Sequence, residues 1–165
     1  MTASTNAPRV TYVPVSGYAV AQGQGILSSV GLGSCVALMM HEPLTQVGAM
    51  AHILLPHQSM SRDRSRPAKF GATAVGFLLD EMRRFGAEGT PRAWMVGGAS
   101  MFGTLLSNGI NMGERNVAAV RSALQDAGVA VVGADVGGDY GRSVTFDVAT
   151  GCVRVVSVHH GERTL

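Results

Sequence analysis

Two apolar runs of strand length, "CVALMMH" and "VGAMAHILLP", stand on either side of the turn-rich "EPLTQ". They predict a hairpin of core strands, with Pro43 suited to the second position of an ordinary β-turn. Upstream, "VTYVPV" and "YAVAQ" are short, aromatic or β-branched segments that read as strands, and "GILSSVGL" reads as a third. Helical spacing appears twice. Ala74, Phe77, Leu78, Met82 and Phe85 share one face, with Gly86 or Gly89 as the stop. Val117, Val120, Leu124 and Ala127 share another in "ERNVAAVRSALQDAG", with Gly128 as the stop. Between the helices "PRAWMVGGASMF" reads as a strand entering a glycine turn, and "VAVVGADV", "RSVTFDV" and "CVRVVSV" finish the chain as strands. "HQSMSRDRSRPAKF" reads as an exposed loop and residues 1–8 as a frayed tail of one domain spanning 1–165.

The tally is about eight strands and two helices. So many hairpins argue against a doubly wound parallel sheet and for an α+β layered sandwich.

The hairpin register carries the first chemical expectation. If "PL" or "EPLT" is the loop, Glu42 faces Thr45, and Cys35 falls directly opposite His52, ~4.5–5.5 Å away on one face of the sheet. A register shifted by one rung keeps the two on the same face as diagonal neighbours, and an odd loop separates them. A thiol beside an imidazole can become a thiolate and pass its proton on, the minimal pair for nucleophilic acyl chemistry. Gly33 and Ser34, just before the cysteine, supply backbone N–H groups for a developing oxyanion. Ser29 and Ser34 are the candidates to orient the base. The competing reading is an inert buried cysteine and a core histidine bonded to backbone.

Other residues carry weaker expectations. Gly97, Gly98 and Ser100 line the cleft or form a tight turn. Arg115 and Asn116 open a helix, where structural hydrogen bonds are common. Gly137, Gly138 and Arg142 touch a ligand or make a hairpin turn. His41 shares parity with Cys35 but lies six residues along its strand, ~20 Å away. Cys152 reads as packing, and His159 and His160 read as surface residues or a partner contact.

Composition narrows the class. Two cysteines 117 positions apart in 165 residues make no disulfide framework, and a reducing cytoplasm is expected. The polar start "MTASTNAPRV" predicts no secretory leader, and no apolar run is long enough for a membrane span. A net charge of +2 with 5% aromatic residues argues against nucleic-acid binding. The run Arg62, Arg64, Arg66 and Lys69 reads as a solvated loop or a dock for an acidic partner.

Taken together, "GLGSCVAL…GAMAHILLP", "RPAKFGATAV", "VGGASMF", "NMGERNVAAV" and "VGGDYGRSVTFDVATG" resemble the CheD chemoreceptor glutamine deamidases of bacterial chemotaxis, in order and from Tyr18 to Gly151. The resemblance implies a layered sandwich like that of the cytotoxic necrotising factor deamidases. It implies conversion of receptor glutamines to glutamate with release of ammonia, and no metal or cofactor. It implies Cys35 as nucleophile and His52 as catalytic histidine. The third catalytic position, usually threonine, is Ser29 here, which keeps the hydroxyl and loses the methyl. Partners implied are methyl-accepting receptors and, in some bacteria, a CheC-type phosphatase. The alternative is a non-catalytic adaptor that only docks on those proteins.

Overall fold

In the computed structural model, residues 7–101 and 110–165 are described. Of the tail expected over 1–8, residues 1–6 lie outside that range, as does Phe102 at the end of "VGGASMF". The elements are β1 Val10–Tyr12, β2 Tyr18–Gln22, β3 Ile26–Leu32, β4 Val36–Glu42, β5 Val47–Ile53, α1 Gly71–Arg84, β6 Arg92–Gly97, α2 Met112–Asp126, β7 Val131–Val136, β8 Arg142–Asp147, β9 Cys152–Ser157 and β10 Gly161–Thr164. They form two five-stranded mixed sheets, ordered β1-β3-β8-β9-β10 and β2-β5-β4-β6-β7.

All seven residues of β4 and all seven of β5 are buried, which explains their unbroken apolar character. Their sheet is covered on both faces. Val36, Leu38, Met40, Val47, Ala49, Ala51 and Ile53 join Ala74, Leu78 and Met82 of α1 and Val120 and Leu124 of α2 in one core. The opposite parity, Ala37, Met39 and Met50, joins Leu27, Leu32, Val144, Phe146 and Val155 of the other sheet in a second core. The layers are therefore helices, inner sheet, outer sheet, the α+β sandwich that the pattern predicts. Strands β8 and β9 alternate buried with less buried residues because the outer sheet keeps one face in water. No helix among the described residues is long and apolar enough to cross a membrane.

Several boundaries differ from expectation. Strand β1 ends at Tyr12, because Pro14 lacks a donor and its carbonyl accepts the Gly17 N–H in a turn. Strand β5 stops at Ile53, and the N–H groups of Leu54 and Leu55 turn to the Lys69 carbonyl. Helix α1 ends at Arg84, leaving Phe85 45% exposed and outside its apolar face. Helix α2 begins two residues before Glu114, because the Asn111 side chain accepts the Glu114 N–H at 3.0 Å and caps it. Among the described residues, ten strands replace about eight. The addition at the C-terminus, β10, is exposed throughout, so no apolar pattern announces it. Cys152, expected as packing, is exposed on β9.

The β4–β5 register also differs. Glu42 pairs with Val47, not Thr45, so His52 lies opposite Ala37 and Cys35 is its diagonal neighbour. The cause is the turn. The Glu42 carboxylate accepts N–H bonds from Leu44 and Thr45, both at 2.9 Å, and the Thr45 hydroxyl donates to it as well. A four-residue loop, 43–46, is organised around that carboxylate, with Gln46 at φ +52°. The shift is one rung, so face and parity survive.

Candidate active site

Residues Gly33, Ser34 and Cys35 carry the chain from β3 of the outer sheet to β4 of the inner sheet. The turn is pinned to the segment after β6. The Gly98 N–H donates to the Cys35 carbonyl at 2.8 Å, and the Ala99 N–H donates to the Gly33 carbonyl at 2.8 Å. Only glycine fits here. Gly97 has φ +115°, and a Cβ on it would stand 2.2 Å from the Cys35 oxygen. Gly98 has φ +64°, and its Cβ would meet Val117 at 2.3 Å. The "GG" pair thus exists to let the cysteine turn approach.

These contacts sort the candidate oxyanion donors. The Gly98 N–H is committed to Cys35, and the Ser100 N–H donates to the Gly138 carbonyl at 2.9 Å. Among the described residues the N–H groups of Gly33, Ser34 and Cys35 have no acceptor on any other residue, and that of Cys35 lies near its own sulfur. Cys35 is half-buried against the core between the sheets.

His52 is buried on the same face of the inner sheet, the face that also carries Ala37, Met39 and Met50. The β1–β2 connection wraps it. The His52 N–H donates to the Gly17 carbonyl at 3.0 Å, and the Ser16 N–H donates to the His52 carbonyl at 2.9 Å. Its Nδ1 stands 3.4 Å from the Val13 carbonyl. A carbonyl only accepts, so Nδ1 carries the hydrogen and Nε2 keeps its lone pair. Nε2 is buried and has no partner among the described residues.

Ser29 does not bond the ring. Its hydroxyl donates to the same Val13 carbonyl at 2.9 Å and lies 3.5 Å from the Met50 sulfur. It reaches His52 only through that shared oxygen. The Ser29 hydroxyl and the His52 ring thus share an acceptor and do not bond each other.

Burial sets the protonation of both groups. It pushes the Cys35 thiol up, an effect its own backbone N–H partly offsets. It pushes His52 down, against the Val13 carbonyl, which pulls the other way. No hydrogen bond joins the two side chains among the described residues. Burial therefore favours the uncharged form of each group over a thiolate–imidazolium ion pair. An uncharged thiol and imidazole on one face of a sheet have the chemistry for general-base transfer, in which an imidazole nitrogen with a free lone pair accepts a thiol proton.

The remaining candidates lie elsewhere. Buried Arg142 donates from Nε to Asp135 at 3.0 Å and from Nη1 to the Gly137 carbonyl at 2.7 Å, so it locks a turn. His41 is buried, with Nε2 2.8 Å from the Val148 carbonyl. His159 and His160 are exposed, and His160 stacks on Tyr140 with centroids 3.8 Å apart. Arg62, Arg64 and Arg66 are exposed in the loop after β5, as the charge pattern predicts.

Asn116 is the residue whose place the sequence did not disclose. It is fully buried, and its Nδ2 donates to the Ser34 carbonyl at 2.9 Å and the Leu54 carbonyl at 3.1 Å. The start of α2 is wedged under the cysteine turn, since a Cβ on Gly113 would stand 2.4 Å from the carbonyls of Gly98 and Ala99. The signal available lay in the "NMGERN" block, where Gly113 and a second asparagine, Asn116, follow the capping Asn111 inside the first turns of the helix.

Comparison with known proteins decides the family. Residues 54–157 match the family model described as CheD chemotactic sensory transduction. The chain belongs to the CheD family. It is 41% identical over 152 residues to the chemoreceptor glutamine deamidase CheD of Thermotoga maritima, covering 92% of this chain and 94% of that protein. It is 38% identical over 151 residues to the probable chemoreceptor glutamine deamidase CheD of Pyrococcus abyssi, covering 91% and 93%. A third relative of that name, from Caldanaerobacter subterraneus, is 37% identical over 146 residues, covering 86% and 89%. In this CheD-family chain the matched model begins just past His52, whereas the matches to the whole relatives span most of its length.

Proposed function

We infer that this protein deamidates glutamine side chains of chemoreceptors, on the cytoplasmic side of the membrane, with Cys35 as nucleophile. The reading is supported by its family and carried by one observation. On the face shared with half-buried Cys35, the buried His52 presents an unpartnered Nε2, and the N–H groups of Ser34 and Cys35 have no acceptor on any other described residue.

As the Cys35 sulfur bonds to the carboxamide carbon, its proton passes to His52 Nε2. The carbonyl oxygen becomes an oxyanion, held by the N–H groups of Ser34 and Cys35. The C–N bond breaks as His52 returns the proton to nitrogen, and ammonia leaves. Water then gives a proton to His52 and its oxygen to the thioester carbon. The C–S bond breaks, the thiol is restored, and the product is glutamate. Mass spectrometry of a receptor cytoplasmic fragment incubated with the protein tests this. Conversion of specific glutamines to glutamate, with one ammonia each, is expected. An unmodified fragment leaves the adaptor reading in its place.

A further inference from the structure

We propose that Asn116 is a positioning residue that aims the Cys35 N–H at the developing oxyanion. The proposal rests on Cys35 being the nucleophile, as inferred above.

The β4–β5 ladder ends at the pair Val36–Ile53. The next rung would join Cys35 to Leu54. In its place stands the Asn116 carboxamide, with one hydrogen on the Ser34 carbonyl and the other on the Leu54 carbonyl. The Ser34 carbonyl belongs to the same peptide group as the Cys35 N–H. Donation to that oxygen polarises the peptide and makes its N–H a stronger donor, because hydrogen bonds in series reinforce one another. It also fixes the rotation of the peptide plane, and so the direction of the N–H. The bond to Leu54 holds the carboxamide itself in one orientation.

Asn116 Oδ1 is buried and unpartnered among the described residues. Such an acceptor is disfavoured in a core. A residue selected only to fill space under the turn would be apolar. What the asparagine supplies and an apolar residue cannot is the pair of donors.

The test compares two reactions of one thiol. Acetyl transfer from p-nitrophenyl acetate to Cys35 passes through an oxyanion, whereas alkylation by iodoacetamide displaces iodide without one. Both need the same sulfur and the same base. In a Cys152→Ser background, with adduct position confirmed by mass spectrometry, Asn116→Ala and the isosteric Asn116→Asp are compared with the parent. Acetyl transfer is expected to fall at least about tenfold relative to alkylation, a fraction of what losing a whole oxyanion donor costs. A ratio unchanged within about threefold, whether both reactions fall together or neither does, overturns the proposal. Failure of both variants to fold makes Asn116 purely structural and overturns it equally. Ammonia release from a receptor fragment is measured on the parent alongside. Its absence removes the deamidase reading, while the ratio, which needs no receptor, still judges Asn116.

Discussion

The two ends of the β4–β5 hairpin share strands, sheet and layers, yet they are built to opposite ends. At the closed end the Glu42 carboxylate satisfies two N–H groups and a hydroxyl, and His41 binds the Val148 carbonyl. His41 Nδ1 lacks a partner too, but Gly151 covers it, since a Cβ there would stand 2.9 Å away. At the open end the ladder stops, and an asparagine replaces the next rung. There His52 Nε2 and two backbone N–H groups of the cysteine turn have no partner on any other described residue. Fully satisfied polar groups stabilise. Unpartnered ones held in place are the raw material of a catalyst, at a cost in stability borne by the rest of the fold.

Substitution at the two ends should separate activity from stability. At the open end, Cys35→Ala is expected to abolish ammonia release from a receptor fragment while the melting temperature stays close to wild type. His52→Ala should slow turnover by roughly 10²–10⁴-fold, the range for losing a general acid–base group. Residual full activity in either variant would transfer the chemistry to other residues. At the closed end the order reverses. Glu42→Ala strips the turn of its organiser and should lower stability by about 1–3 kcal/mol, read from denaturant melts, with turnover per folded molecule little changed. A large loss of turnover there would mean that the turn governs the register of the site as well.

Much of this was legible beforehand, and the exceptions have a common cause. β2 coincides with "YAVAQ", and α2 takes in the predicted "ERNVAAVRSALQDAG" up to Asp126 while starting two residues earlier, because periodicity and turn residues are local signals. The shared face of Cys35 and His52 was legible from an even loop. Their offset by one rung was not, because it depends on a side chain, Glu42, choosing which turn to fold around. The bond from Ser29 to the Val13 carbonyl was hidden for a similar reason: its acceptor comes from another strand's exit. Asn116 was hidden most deeply, since its partners lie 62 and 82 residues away. Burial of β4 on both faces could be read from its composition, but the identity of the layers covering it could not.

A smaller effect is expected from pH, and it also distinguishes the ends. His52 is held below its ordinary value by burial, so below about pH 6.5 the unfolded chain takes up a proton that the folded one refuses. Stability should therefore fall as pH drops through that region. Cys35 is held above its ordinary value, so above about pH 8.5 the unfolded chain loses a proton first, and stability should fall as pH rises. Glu42 is held low, chiefly by the Thr45 hydroxyl, and its contribution is lost only on acidification below about pH 4.3. Melting temperatures across pH should form a dome. Cys35→Ala should flatten its alkaline limb, and an unchanged limb would mean that thiol burial is not its source.

The least effect is expected where the family pattern is altered. Ser29 donates to the Val13 carbonyl, and the His52 Nδ1–H points to the same oxygen from 3.4 Å. Removing the serine hydroxyl leaves that carbonyl in place and gives His52 an acceptor it no longer shares. The ring keeps its tautomer, and Nε2 keeps its lone pair. What is lost is one tether on the strand exit that presents the carbonyl. Ser29→Ala should thus lower kcat by less than about tenfold, below the range for losing an acid–base group itself. Ser29→Thr keeps the hydroxyl and adds the methyl that the family resemblance implies at this position, so it should match or exceed the parent. A hundredfold loss in Ser29→Ala would show that the hydroxyl turns to the ring itself when substrate is bound.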